Sequence, residues 1–417
     1  MKQSKKGLLC LSFLLSLMAN AHAEQASATT NKRPKGSYSL SDALTNGQTH
    51  FKIRFRDEYA HSQLYRQGNA LTLQTLLGYE SASVLGFRAG LELNGVSAAH
   101  TDRFNSGDDA NKTQYTPIMD PKGAAITNGY IAYDRLPDTD IIVGRQYIDL
   151  NTQRFFGRND FRQNPQTFDA ITVQNTSSPV TLFYAYVRQY NSGLYNDQLE
   201  TNHEDRLNTH LFNAVWDNKT IGRLAAYGYL VDDKVMPQYN SDTFGARFDS
   251  HFDLNQLNVG YGLEYANQTS EYPNPVHYHA RYIQAQLVFT SQTYYTKFAY
   301  ELLGADSQDQ IALQTPYASN HNFLGDSDAF VVTPNIGVQD ASTTIGSNLS
   351  VYDVSATYHY FKSDHHNVDL GKEWDIAIKK TFAEHYYASI AFADFNSDAT
   401  AYAVDTEKWW LTVGAAF

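Results

Sequence analysis

Cysteine is nearly missing from this chain. There is one in 417 residues, Cys10, and it sits inside the first apolar run. Beyond that run no thiol is present, which excludes disulfides, sulfur-ligated metals and cysteine nucleophiles there. Long hydrophobic stretches are missing as well. A spanning helix needs about 20 consecutive apolar residues, and the run from Gly7 to Met18 is shorter, with nothing longer after it. The negative mean hydropathy points the same way, against a helical membrane protein. A basic excess is also lacking, with 32 Lys and Arg against 44 Asp and Glu, which argues against nucleic acid as a partner.

Aromatics are what the chain has in quantity, with 30 Tyr and 23 Phe. The N-terminus has Lys2, Lys5 and Lys6, then the apolar run, then Ala21-His22-Ala23 before Glu24. This is the tripartite plan of a secretory signal peptide over residues 1–23, with cleavage expected after Ala23. The rest of the chain then carries 29 basic and 44 acidic residues, a balance of −15. Residues 24–48 are polar and lack strand periodicity, as expected of a periplasmic lead-in. Ser39 is placed to cap a short helical turn with Asp42.

From residue 49 onward, apolar and polar positions alternate. Phe51, Ile53 and Phe55 oppose Lys52, Arg54 and Arg56. Leu85, Phe87, Ala89, Leu91 and Leu93 oppose Arg88, Glu92 and Asn94, and Leu257 to Tyr265 and Tyr352 to Tyr360 repeat the plan. Period-2 patterning of this kind marks strands with one greasy and one polar face. Eighteen such segments can be counted, at 50–59, 70–81, 84–94, 125–134, 139–147, 168–177, 180–190, 209–217, 221–231, 242–251, 256–266, 278–290, 293–303, 340–349, 351–361, 372–382, 386–395 and 407–417. The segment at 340–349 has the weakest pattern. Short connectors such as Leu136-Pro137-Asp138 alternate with long ones at 95–124, 148–167, 191–208 and 304–339. An even strand number with strictly alternating turn lengths predicts an all-β chain, a transmembrane antiparallel barrel over 49–417 with periplasmic turns and extracellular loops. The closing segment Glu407 to Phe417, with Trp409, Leu411, Val413, Ala415 and Phe417 on one face, fits a last strand against lipid. Tyr59, Tyr79, Tyr133, Tyr265 and Trp409, near strand ends, fit an interfacial girdle.

One connector stands out. Ile141 to Asn175 brackets a loop carrying Arg154, Arg158 and Arg162, with Arg145 at its root, among Tyr147, Phe155, Phe156 and Phe161. A long loop rich in aromatics is expected to be functional, here by folding inward. Asp149 and Asp160 are its only acids. Lys52, Arg54, Arg56, Arg88, Arg223, Arg247 and Lys297 are predicted on the inward face, where rings of basic residues favour anions. Glu80, Glu92, Glu264, Glu301, Asp353 and Asp375 are predicted on that face too and could equally hold the wall together. The candidate pore-lining set is Lys52, Arg54, Arg56, Arg88, Arg145, Arg154, Arg158 and Arg162.

Several motifs resemble the alginate export family of outer-membrane porins. They are Thr72 to Glu80, Thr113 to Lys122, Leu136 to Asp138, Gly144 to Gln146, Gln153 to Phe155, Arg162-Gln163, Gln166 to Ala170 and Thr315-Pro316. The resemblance covers nearly the whole chain after the signal and is densest from Gly144 to Ala170. It implies an eighteen-stranded barrel whose extracellular loops narrow a hydrophilic lumen. The expected function is passive passage of small hydrophilic, anionic solutes across the outer membrane of a Gram-negative bacterium. Export of an acidic polysaccharide such as alginate is the alternative. The expected surroundings are outer-membrane lipid and lipopolysaccharide.

No cofactor is implied. His277 with His279 offers two ligands and no third, Asp108 and Asp109 lack calcium-loop spacing, and His365-His366 reads as a solvated loop. Ser192, His203 and Asp205 have no recognisable catalytic spacing, so an enzyme is not expected. A soluble secreted β protein would be released by salt alone. The chain is therefore expected to stay with the membrane pellet through high-salt washing, to dissolve only in detergent, and to change its gel mobility on heating; release by salt would remove the barrel reading.

Overall fold

The computed structural model describes residues 39–99, 103–107, 109–193, 205–349 and 352–417. The signal segment, the lead-in up to residue 38, Asp108 and His203 lie outside these. Ser39 does cap a short helix, α1 (Leu40–Thr45), its Oγ accepting from the Asp42 amide at 3.0 Å. The remainder is strand and loop.

Eighteen strands follow in order. They are β1 (Gln48–Ser62), β2 (Gly68–Glu80), β3 (Phe87–Ala99), β4 (Gly123–Leu136), β5 (Thr139–Gln146), β6 (Thr167–Ser177), β7 (Val180–Asn191), β8 (Asp205–Asn218) and β9 (Gly222–Val231). Then come β10 (Ser241–Leu254), β11 (Leu257–Ser270), β12 (His279–Thr290), β13 (Tyr294–Leu303), β14 (Val338–Leu349), β15 (Tyr352–Lys362), β16 (Asp369–Phe382), β17 (Tyr386–Ser397) and β18 (Thr406–Ala416). Each pairs antiparallel with its sequence neighbours, and β1 also pairs with β18, from Lys52 opposite Ala416 to Ser62 opposite Thr406. The sheet is therefore a closed barrel without an edge. The weakly patterned segment near 340 is an ordinary member, β14, whose inward Asp340 and Thr344 and outward Ile345 keep the alternation.

The third strand begins later than its pattern suggests. Leu85 has a φ of 55° and Gly86 of 89°, forming a tight turn closed by Val84 and Phe87, so β3 starts at Phe87. Left-handed backbone ends a strand whatever the hydropathy of its side chain.

The two faces separate as the alternation requires. Apolar side chains stand exposed all round the outside, among them Ile131 at 60%, Leu263 at 57% and Ile345 at 61%. A continuous belt of this kind is untenable in water and is the surface a bilayer covers. Among the described residues no helix is long and apolar enough to cross a membrane, so the strands do the spanning. Tyr59, Tyr79, Tyr133, Tyr265 and Trp409 all lie on the outward face, as their strand phase predicts.

The inside is not uniformly polar. A dry cluster fills part of the lumen, where Phe155 and Phe156 from the β5–β6 loop (147–166) and Leu313, Tyr317, Leu324 and Phe330 from the β13–β14 loop (304–337) meet wall residues Phe168, Tyr229, Tyr282, Phe361 and Phe395. Phe156 stacks on Tyr317 at 5.3 Å, and Phe330 lies 4.8 Å from Phe361. Two long loops are thus packed inside the barrel like a small protein core. On the outside, Leu263→Arg near the middle of β11 should cost about 2–4 kcal/mol. Urea titration of refolding into lipid vesicles measures this, and a neutral effect would mean that this face does not meet hydrocarbon.

Candidate functional site

The β5–β6 loop is held from its backbone. Arg54 of β1 donates from Nε to Gln163 Oε1 at 2.7 Å, from Nη1 to the Asp160 carbonyl at 2.9 Å and from Nη2 to the Arg162 carbonyl at 2.6 Å. Arg56 donates to the Phe161 carbonyl at 2.6 Å and lies 4.2 Å over the Phe161 ring. Gln74 and Asn94, on β2 and β3, both donate to the Gln163 carbonyl, and Asp120 accepts from the Gln163 amide at 2.7 Å. Hydrogen bonds from charged donors are worth about 1.5–3 kcal/mol each, so the grip fixes the loop across the lumen. The inward phase of Arg54 and Arg56 is readable from alternation. Their targets are not, since backbone carbonyls leave no trace in sequence.

The loop arginines find carboxylates that lie far away in the chain. Arg162 bonds both oxygens of Glu58 at 3.1 Å and Asp328 at 3.0 Å, with Asp120 at 3.8 Å. Lys408 and His321 complete the cluster on Asp328 at 2.7 and 2.9 Å. Phe161 stacks on His321, and Trp410 meets Phe161 edge-on. Arg154 donates to Glu301 at 2.7 Å and sits over the Phe323 ring at 4.6 Å. Arg158 forms an ion pair with Asp149 and stacks 4.5 Å over Tyr147. The loop's own sequence suggests few acidic neighbours, whereas folding supplies Glu58, Asp120, Glu301 and Asp328.

These pairings set the protonation of the loop groups. Burial alone would raise the Asp328 carboxyl, but Lys408, His321 and Arg162 hold it well below the usual carboxylate range. Burial opposes charge on Arg162 too, and Glu58, Asp120 and Asp328 outweigh it, so its proton is held more tightly than in water. Asp160 goes the other way, raised because burial exceeds the pull of Arg158, Lys52 and Arg54.

The remaining predicted residues divide. Lys52 shares the inward face of Arg54 and Arg56 and is half-buried. Arg88 is inward at the periplasmic end, 3.3 to 3.5 Å from Asp140, Glu80 and Asp134. Arg247 pairs with Asp249 and Glu264. Arg145 is a correction, because it does not line the lumen. Its neighbour Gln146 bonds the inward Thr172, and Phe168 and Ala170, flanking Asp169, are both buried in the lumenal cluster. Arg145 and Asp169 consequently share the outward face of Val143 and Ile171, bonded at 2.7 and 3.0 Å.

Sequence reasoning missed the role of Glu92. It accepts from Tyr147 Oη and Thr127 Oγ1, both at 2.6 Å, and lies 2.5 Å from His50 Nε2. This hub ties the root of the loop to a periplasmic-side cavity of about 500 Å³ lined by His50, Glu80, Glu92, Asn128 and Tyr130. The His50 and Tyr130 rings lie over Gly78 and Gly90, where any Cβ would overlap them. The inward phase of Glu92 is legible in the sequence; its partners on β1, β4 and the loop root are not.

A closed eighteen-stranded barrel with loops folded into its lumen is the fold of outer-membrane channel proteins. Solved structures similar to this chain include OccK9 (OpdG) of Pseudomonas aeruginosa, with a TM-score of 0.70, 14% identity, and 90% of this chain and 99% of that chain covered. OccAB1 of Acinetobacter baumannii is similar at a TM-score of 0.69 and 13% identity, with 90% and 97% covered. OpdK of Pseudomonas aeruginosa, solved with vanillate, is similar at 0.69 and 11%, with 89% and 98% covered. No family profile matches the chain, and no curated protein matches it.

Replacing Arg162 by alanine leaves buried Glu58, Asp120 and Asp328 without their shared cation, a loss of about 3–5 kcal/mol for a broken buried pair. The expected result is a loop cut faster by protease between residues 147 and 166, with unchanged heat-modifiable mobility of the barrel. Because the Asp328 carboxyl is depressed, its contribution is present above its unfolded value of 3.8 and is lost as pH falls through the folded value. Protease resistance of the loop should therefore hold from neutral pH down to about 4 and fail only below it; loss near pH 6 would contradict the assignment.

Proposed function

We propose that this chain is an outer-membrane channel of a Gram-negative bacterium, through which small hydrophilic and preferentially anionic solutes pass by diffusion. The observation that carries the reading is the β5–β6 loop, gripped inside a closed barrel by Arg54 and Arg56. A loop fixed across the lumen sets a constriction, and the residues at its open edge set selectivity.

In this reading the cationic residues fall into two groups. Arg54, Arg56, Arg154 and Arg162 are buried and position the loop. Arg158, whose side chain is 32% exposed, and half-buried Lys52 are the cations that meet solute. Both neighbour Asp160, which burial biases toward its neutral form. Arg54 stands with them, and these cations around Asp160 favour anions by field focusing. Binding of vanillate, an aromatic carboxylate, by OpdK lends support by analogy of fold.

Export of an acidic polysaccharide is the second reading, favoured by the motif resemblance to the alginate export family. It needs a path wide enough for a polymer. The β5–β6 and β13–β14 loops are joined across the lumen, with Gln166 Nε2 donating to the Tyr317 and Ala318 carbonyls and the Gly157 amide to the Tyr317 carbonyl. A lumen crossed in this way suits small solutes better.

Planar-bilayer conductance under a salt gradient tests both. The wild type should give discrete channels with an anion-preferring reversal potential. Lys52→Ala with Arg158→Ala should move that potential toward cation preference, with unchanged heat-modifiable mobility. A cation-preferring wild type would sink the anionic reading, absence of channels would sink the transport reading, and block by alginate oligomers from the periplasmic side alone would favour the polysaccharide.

A further inference from the structure

The outward face of β3 and β4 differs from that of β10 to β13. On β10 to β13 large apolar side chains stand out: Phe244, Leu263 and Phe298. On β3 and β4 many of the corresponding positions are small. Gly95, Ser97, Ala99, Ala124 and Gly129 share the outward phase of Leu93, Ile126 and Ile131. A Cβ added at Gly95 would meet nothing nearer than 3.9 Å, so the surface there is open and shallow.

Beside this shallow patch lies an ion pair. Arg145 bonds both oxygens of Asp169 and reaches the Ile126 carbonyl at 3.3 Å. Asn191 donates to Asp169 at 3.2 Å, and Gln189 to Asn191 at 2.9 Å. The pair is at belt depth, not above it. On β4, Ile126 lies above and Ile131 below the residue opposite Arg145, and Val143 and Ile171 adjoin the pair on its periplasmic side. Charges on the lipid face of a barrel strand are costly, about 2–4 kcal/mol for a basic residue at mid-depth. Charged groups within a membrane span mark a protein contact or a site far more often than bare lipid.

We infer that the outward face of β3 to β7, centred on Arg145 and Asp169, is a contact surface for a second copy of this chain. Small residues let two walls approach closely in a membrane, where packing rather than hydrophobicity drives association. An acid and a base side by side form a self-complementary patch. A neighbouring copy placed by symmetry sets its Asp169 against Arg145 and its Arg145 against Asp169. A lipid phosphate fits less well, since Asp169, with its side chain 32% exposed, would repel it. This inference rests on the barrel's place in a membrane and not on what passes through it.

The full chain, extracted in mild detergent, is tested by light scattering coupled to gel filtration, and Val143→Cys, an exposed outward position two residues from Arg145, by disulfide trapping in intact cells. The chain beyond the signal has no other cysteine. The wild type should run as an oligomer and Val143→Cys should give a covalent dimer. Arg145→Asp should shift the protein to monomer, and the exchange Arg145→Asp with Asp169→Arg should restore the oligomer. A monomeric wild type with no Val143→Cys cross-link would overturn the inference, as would an Arg145→Asp protein that stays oligomeric. Should Arg145→Asp fail to fold, Gly129→Trp, directly opposite Arg145, serves instead, with loss of the oligomer expected and an unchanged oligomer decisive against. Retained heat-modifiable mobility in a monomeric wild type would show that the barrel stands and only the contact is wrong.

Discussion

In hydrocarbon a backbone amide has no solvent to bond, and everything else in this structure follows from satisfying that demand. Eighteen short strands cannot leave an edge, so β1 closes on β18. Closure then divides the strand side chains into those that face lipid and those that face a lumen. Because the lumen is the main place left for polar and charged groups, it fills with Arg54, Arg56, Glu58, Glu92, Glu264, Glu301 and Lys408, all buried or nearly so. Charges confined to so small a space must pair, and pairing becomes the means by which the loops are held.

The β5–β6 loop shows how. Its backbone carbonyls are the targets of arginines from β1, while its own arginines reach Glu58, Glu301 and Asp328 on other strands and on the β13–β14 loop. Phe155 and Phe156 then anchor the loop in a cluster of wall aromatics. Charge and packing act at different points along one segment, which leaves its edge, around Arg158, open to the lumen. Burial separates the cations, so that buried ones position the loop and half-exposed ones stand at its edge.

Much of the architecture is legible in the sequence. Strand number and alternating connector length come from periodicity that a two-sided wall imposes on every residue, and strand ends agree to within a few positions. Departures occur where local backbone overrules hydropathy, as at Leu85, whose left-handed φ opens a turn instead of a strand. Inward phase is equally readable for Lys52, Arg54, Arg56 and Arg88. Arg145 misleads when it is judged by its company in the loop rather than by its parity with Val143. Read by parity it belongs outside, beside Asp169.

The sequence alone determined a closed antiparallel barrel and its membrane-facing surface, because both rest on patterns repeated along neighbouring residues. It could not say whether the loop arginines meet solute or protein. That was decided by carboxylates 104 and 147 residues away in the chain, at Glu58 and Glu301. Nor could it show that the loop's hold is a backbone hold, since carbonyl oxygens are common to all residues and acquire a role only where the fold brings an arginine to them. Tertiary structure alone turned a row of cations into grips and ion pairs, and set one of those pairs, Arg145 with Asp169, on the outward face.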